Sequence, residues 1–199
     1  MEDNKVLNEK ESLEIITRMI RNTQHKLERN AGKPFLVWGY ATVFATAAVA
    51  VAIGITNNPY WNYLWFLIPV IGIPFTLLGK KHQKGIRTYV DQVIGYIWIV
   101  FGIVGFIISC ISIIPVMWRW KIPVLFMILL LMGMGTTLTG LVTKFRPSIV
   151  GGILSIILAF GIYFVSGWLL TLLLFALTFV VMMIIPGHIL NYRAGRSNV

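Results

Sequence analysis

Three kinds of side chain in this sequence have the chemistry to act as catalysts or ligands: the histidines His25, His82 and His188, the thiol of Cys110, and seven carboxylates. His188 is the most suggestive. It follows Pro186 and Gly187 in IIPGHIL, at the end of the last long apolar run, and no other histidine touches such a run. A metal site needs several ligands that converge, with thiolate or carboxylate help. Here one histidine lies in an N-terminal helical stretch, one in a basic loop and one at a helix end, and every Asp and Glu lies at or before Asp91. No Gly-rich phosphate loop, Ser/His/Asp set or metalloprotease helix appears, and the apolar runs hold no acid, Lys or Arg for a proton relay. The sequence therefore yields no catalytic, metal or cofactor-binding residues, and the expectation is a protein that is not an enzyme and carries no cofactor. Cys110 reads as a small packed side chain.

The elements that hold these residues are set by the solvent. The 199-residue chain is 57% hydrophobic and 12% charged, where soluble domains carry about 25% charge. Crossing about 30 Å of hydrocarbon takes about 20 mainly apolar residues. Six runs qualify, at 34–56, 59–78, 93–117, 122–142, 147–165 and 168–190. They predict an all-α integral membrane domain over 34–190, preceded by a charged segment (1–33) and followed by a short basic tail (191–199). The first run reads as a retained signal anchor, not a cleaved leader.

Lys and Arg are retained on the cytoplasmic side of bacterial inner membranes. Fifteen of the seventeen fall on one side: seven before the first run, four in 80–87, then Lys144, Arg146, Arg193 and Arg196. Only Arg119 and Lys121 fall on the other, within MWRWK, where Trp118 and Trp120 suit an interfacial belt. The bias predicts a multi-pass inner-membrane protein with both termini cytoplasmic. The +10 net charge then reflects topology and anionic lipid, not nucleic acid.

Self-similarity suggests three parallel two-helix hairpins. VWGY (37–40), VIGY (93–96) and IVGG (149–152) each open an odd-numbered run, with glycines at the regular positions Gly39, Gly95 and Gly151. In the same register Ile73-Pro74 lies opposite Ile185-Pro186, and the middle copy has Leu130 instead of proline, with the small-residue run GMGTTLTG (133–140) nearby. Small residues four apart let helices approach closely in lipid. Gly151, Ser155 and Ala159 form one such face, available for packing within the bundle or for association with another chain. Pro69, Gly72 and Pro74 interrupt the second run and mark a candidate helix break on a ligand path. Pro186-Gly187-His188 reads as an exit bend. Pro186 deprives the Met182 carbonyl of its helical donor, and His188, at the water-reached border, needs no partner.

The N-terminal segment reads as a separate amphipathic helix. Asn8 with Glu11 resembles a capping start, and Gly32 with Pro34 a stop. Between them Leu13, Ile16, Ile20, Thr23 and Leu27 recur at spacings of three and four, a stripe suited to the membrane surface, to a second copy or to another protein.

The stretches ESLEIITRMI, LERNAGKPFLVWGY, GTTLTGLVTKFRPSIVGG and IIPGHILNY together resemble a group of small six-span integral membrane proteins of Bacteroidetes-type bacteria, a family of unknown function. That resemblance implies an inner-membrane location and no particular activity. Six spans in so short a chain, with Ala-x-x-x-Ala in the first, also resemble the substrate-binding subunits of energy-coupling-factor vitamin importers. The leading expectation is a protein that acts by association, as a homodimer or with a membrane-protein partner. The alternative is a small-molecule or lipid transporter that uses the break at Pro69 to Pro74.

Overall fold

A computed structural model describes the backbone of residues 9–81, 89–113 and 123–196, and most side chains within them. Among the described residues the chain is all-α. Seven α-helices occur: α1 (Glu9–Thr56), α2 (Leu67–Lys81), α3 (Tyr89–Ile113), α4 (Val124–Thr143), α5 (Arg146–Tyr163), α6 (Trp168–Phe179) and α7 (Ile185–Arg196). A 3-10 segment (Pro59–Phe66) leads into α2, and a π-helical turn (Val180–Ile184) joins α6 to α7. Six segments are long and apolar enough to cross a membrane: Gly32–Thr56, Pro59–Leu78, Tyr89–Ile111, Val124–Thr143, Arg146–Tyr163 and Trp168–Arg193. The architecture is that of an all-α, six-span membrane protein. His82 and the MWRWK loop lie outside the described residues.

The spans are not equivalent. In the second and third only 6% of residues are buried, against 33 to 39% in the other four. The core is therefore built by α1, α4, α5 and α6–α7, with α2 leaning on α1 and α3 on α4. Phe35, Leu129, Ala159, Phe175, Phe179, Met182 and Met183 fill its centre, with the Phe175 ring edge-on to Trp65 at 5.5 Å.

The closest helix pair is α4 with α5. Lys144 adopts a left-handed conformation (φ 55°) and ends α4, and its N–H donates to the Gly140 and Leu141 carbonyls. Pro147 then sits in the first turn of α5, where its missing N–H is no loss. The two helices return along each other through Gly133 and Gly140 on one side and Ser148, Gly152 and Ser155 on the other. A methyl group added at Gly152 would stand 2.6 Å from the Thr137 nitrogen and 2.8 Å from the Gly133 carbonyl oxygen. Gly133, Thr137 and Gly140 of GMGTTLTG thus form the α4 half of this contact, where backbone meets backbone, while Gly135 faces the Phe101 and Trp98 rings of α3.

Four buried threonine hydroxyls are satisfied within their own helices. Thr42 donates to the Trp38 carbonyl (2.9 Å), Thr46 to Thr42 (2.7 Å), Thr139 to Gly135 (2.8 Å) and Thr178 to Leu174 (2.7 Å). This back-bonding to the preceding turn needs no partner helix or water. Among the described residues one buried side-chain oxygen has no hydrogen-bond partner, Oγ1 of Thr136.

The structure departs from the sequence reading at Gly32-Lys33-Pro34. No stop occurs there, and α1 runs unbroken with Pro34 inside it. Proline removes one hydrogen bond from a helix without ending it when neighbouring helices hold the chain straight. Gly32 supplies that hold. It is buried, and a methyl group there would meet the side chain of Asn191 and stand 3.2 Å from the Gly187 carbonyl oxygen. A glycine that looks like a C-cap is a contact point between α1 and α7.

Two substitutions test this packing. Gly152→Val should destabilise the detergent-solubilised protein by about 1–3 kcal/mol or more, as overpacking does, seen as a lowered midpoint in a thermal unfolding scan. Thr136→Val removes an unpaired polar atom at nearly constant shape, so it should raise the same midpoint, by about 1 kcal/mol in stability.

Candidate functional site at the junction of α1, α5 and α7

Pro186 is fully buried, and its surroundings explain IIPGHIL. Within the π-helical turn the N–H of Ile185 donates to the Val180 carbonyl. Val181 thereby loses its α-helical donor, Ile185, and its π-helical donor would be Pro186, which has no N–H. The Val181 carbonyl is left without a donor inside its own helix, in addition to the loss at Met182 that the sequence predicts. Such turns relieve a helix of one residue of register and expose backbone polar groups.

Gly151 of α5 covers that carbonyl. A methyl group at Gly151 would lie 2.9 Å from the Val181 oxygen and 3.1 Å from the Met182 Cα. Only a bare Cα approaches so closely, and its C–H groups are weak donors to the stranded oxygen. On the opposite side α1 presses in with Gly39, where a methyl group would stand 2.8 Å from the Ile184 side chain. Gly187 lies against Phe35 and Leu36 in the same way, at 3.2 and 2.9 Å. The widened turn is gripped by α1 and α5, and the chain continues as helix to Arg196. It is not an exit bend.

His188 emerges from this junction with a partner. Its Nε2 lies 2.8 Å from the Tyr40 hydroxyl, and the rings meet edge to face at a centroid distance of 6.0 Å. This corrects the sequence reading, in which His188 needed no partner. Helical side chains lean toward the N-terminus of their own helix. In antiparallel α1 and α7, Tyr40 and His188 therefore lean toward each other. Both are exposed on the outside of the bundle, Tyr40 by 51%. A nearby cation is placed by packing: the Arg193 guanidinium stands 5.4 Å above the ring centroid of buried Phe145, tying α7 to the α4–α5 turn.

The other sequence candidates separate. Gly151, Ser155 and Ala159 are all buried, and Ser155 donates weakly to the Leu129 carbonyl across α4 at 3.5 Å. This small-residue face is spent within the chain, which leaves it no surface for association. Pro69 occupies the first turn of α2, where it breaks nothing, and the change of helical form falls before it, at Phe66 and Leu67. Gly72 is covered by the Trp38 indole, whose atoms would stand 2.7 to 2.9 Å from an added methyl group. Pro74 lies inside α2, exposed on the bundle exterior. Gly72 thus marks a packing contact with α1. Leu13 is 63% exposed, while the side chains of Ile16, Ile20 and Leu27 lie outside the described residues. The repeat is uneven, since Gly39 and Gly151 both grip the π-helical turn but a methyl group at Gly95 would meet nothing within 4 Å.

Sequence reasoning missed Tyr40. The signal was present in VWGY, where a tyrosine hydroxyl falls inside an apolar span and needs a partner in hydrocarbon.

A double-mutant cycle of Tyr40→Phe and His188→Phe should give a coupling of about 0.6 kcal/mol, and no more than about 1.7, the range for hydrogen bonds between membrane helices. Reversible unfolding in bicelles measures it, and zero coupling would mean that the pair contributes nothing to holding α1 on α7. No family model, curated protein or solved structure matches the chain.

Proposed function

We propose that the protein is a non-enzymatic module of the bacterial inner membrane that acts by association, with both termini cytoplasmic and the N-terminal part of α1 as its contact with a second copy. The observation that carries this reading is the unbroken α1. At a rise of 1.5 Å per residue, the part before Gly32 extends about 35 Å beyond the span. A helix continuous with its span cannot lie flat on the bilayer, so it carries its apolar residues outward. Leu13 is 63% and Ile15 41% exposed there.

The pattern suits pairing with itself. Taking Leu13, Ile20 and Leu27 as one core position of a heptad and Ile16 and Thr23 as the other, the flanking positions are Ser12, Thr17, Met19, Gln24 and Lys26. Only one of these is charged, so parallel copies meet no row of like charges. The stripe is short for a free coiled coil. Two copies rooted in one membrane, however, search for each other at high effective concentration, which offsets weak intrinsic affinity.

Native mass spectrometry of the full-length protein in mild detergent tests the reading. The wild type should appear as a dimer, and Leu13→Glu with Ile20→Glu should convert it to a monomer with unchanged thermal midpoint. A monomeric wild type, or a dimer indifferent to both substitutions, would overturn self-association through α1.

A further inference from the structure

The Tyr40–His188 pair sits on the outside of the bundle, where a polar group faces lipid and not protein, and a cation shares its face. On α1, Lys33 lies seven residues before Tyr40, two turns away on the same face, and it too is exposed. On α7, Tyr192 lies one turn after His188 on the same face and is 64% exposed. The antiparallel register brings these stripes to one level. Gly32, next to Lys33, packs against Asn191 and the Gly187 carbonyl, the residues beside Tyr192 and His188. Lys33, Tyr40, His188 and Tyr192 thus occupy one outward patch of the α1–α7 seam, at the end of the bundle where the spans Gly32–Thr56 and Trp168–Arg193 leave the membrane. From Lys33 to the end of α1, and throughout α7, the sequence holds no carboxylate.

We propose that this patch binds the phosphate of an anionic phospholipid headgroup. Lys33 supplies the charge at the depth of the head groups, since a lysine near a span end extends toward the interface. The Tyr40–His188 pair supplies a hydrogen-bond donor in either neutral tautomer. If the ring proton is on Nδ1, the tyrosine hydroxyl donates to Nε2 and the Nδ1–H remains. If it is on Nε2, that N–H donates to the tyrosine oxygen and the tyrosine O–H remains. A fixed donor that shares a face with a cation suits a phosphodiester oxygen. Tyr192 lies where aromatic rings favour the headgroup layer. The glycine contacts of Gly32, Gly39 and Gly187 hold the two helices in the register that places these groups on one face, so the patch is built by the fold. This inference is independent of self-association through α1.

The test uses the full-length protein, delipidated in detergent and titrated with phosphatidylglycerol or phosphatidylcholine, with bound lipid counted by native mass spectrometry. Phosphatidylglycerol should bind in preference. Lys33→Gln and His188→Phe should each weaken it by about tenfold, the loss of one charge-assisted hydrogen bond, and Lys33→Arg should retain it. His188→Gln guards against misfolding of the phenylalanine variant, because it keeps a donor and should lose less. Equal binding of the two lipids, or binding unaffected by Lys33→Gln, would overturn the proposal. So would displacement of phosphatidylglycerol by millimolar inorganic phosphate, which would assign the patch to a soluble anion.

Discussion

The bundle depends on one constraint: a carbonyl stranded in the middle of the last span must be enclosed. Pro186 removes the N–H that the π-helical turn would need at Val181, and hydrocarbon offers no water to replace it. The answer is a close approach by a residue without a side chain. Gly151 brings α5 onto the Val181 oxygen, Gly39 brings α1 onto Ile184, and Gly187 yields to Phe35 and Leu36. Lipid tails are as apolar as leucine, so helices in a bilayer gain little from burying apolar area and much from such contacts. Once α1 and α5 are seated on the widened turn, α4 follows through its glycine-lined pairing with α5. The second and third spans are then added at the periphery, chiefly against α1 and α4 respectively.

The same scarcity of water accounts for the treatment of hydroxyls. Thr42 and Thr46 of α1, Thr139 of α4 and Thr178 of α6 return their protons to their own helices, so they can be buried without a matching acceptor on the neighbour. Tyr40 and His188 cannot do this, because their polar atoms stand too far from the backbone. They find each other across α1 and α7 instead, and in doing so mark the one described position where an imidazole faces the outside of the spans. A polar seam next to an exposed lysine differs chemically from the aliphatic surface around it. This difference distinguishes one face of the bundle.

Much of this was legible in the sequence, though not the use to which each feature is put. Run lengths and hydropathy yielded the six spans, since length across hydrocarbon is a one-dimensional requirement. The glycines and small residues were visible as close-packing residues, but periodicity does not name the partner. Gly151 and Gly95 look alike in the chain, yet one encloses a carbonyl and the other meets nothing. Gly32 followed by Pro34 has the composition of a helix stop and is the point where α1 crosses α7. Local signals were outweighed there because the neighbouring helix restrains a segment that would otherwise break.

The sequence by itself determined the solvent, the number of crossings, the absence of carboxylates from most of the chain, and the apolar stripe that precedes the first span. These follow from composition and spacing, which do not depend on where the helices go. Only the tertiary structure decided that α1 is continuous, that Pro186 marks a gripped π-helical turn and not an exit, and that His188 meets Tyr40 from 148 residues away. Each of these is a choice between alternatives of similar local energy. In a bilayer the choice falls to whichever neighbour can satisfy the backbone or the side chain, and that neighbour is known only once the helices are packed.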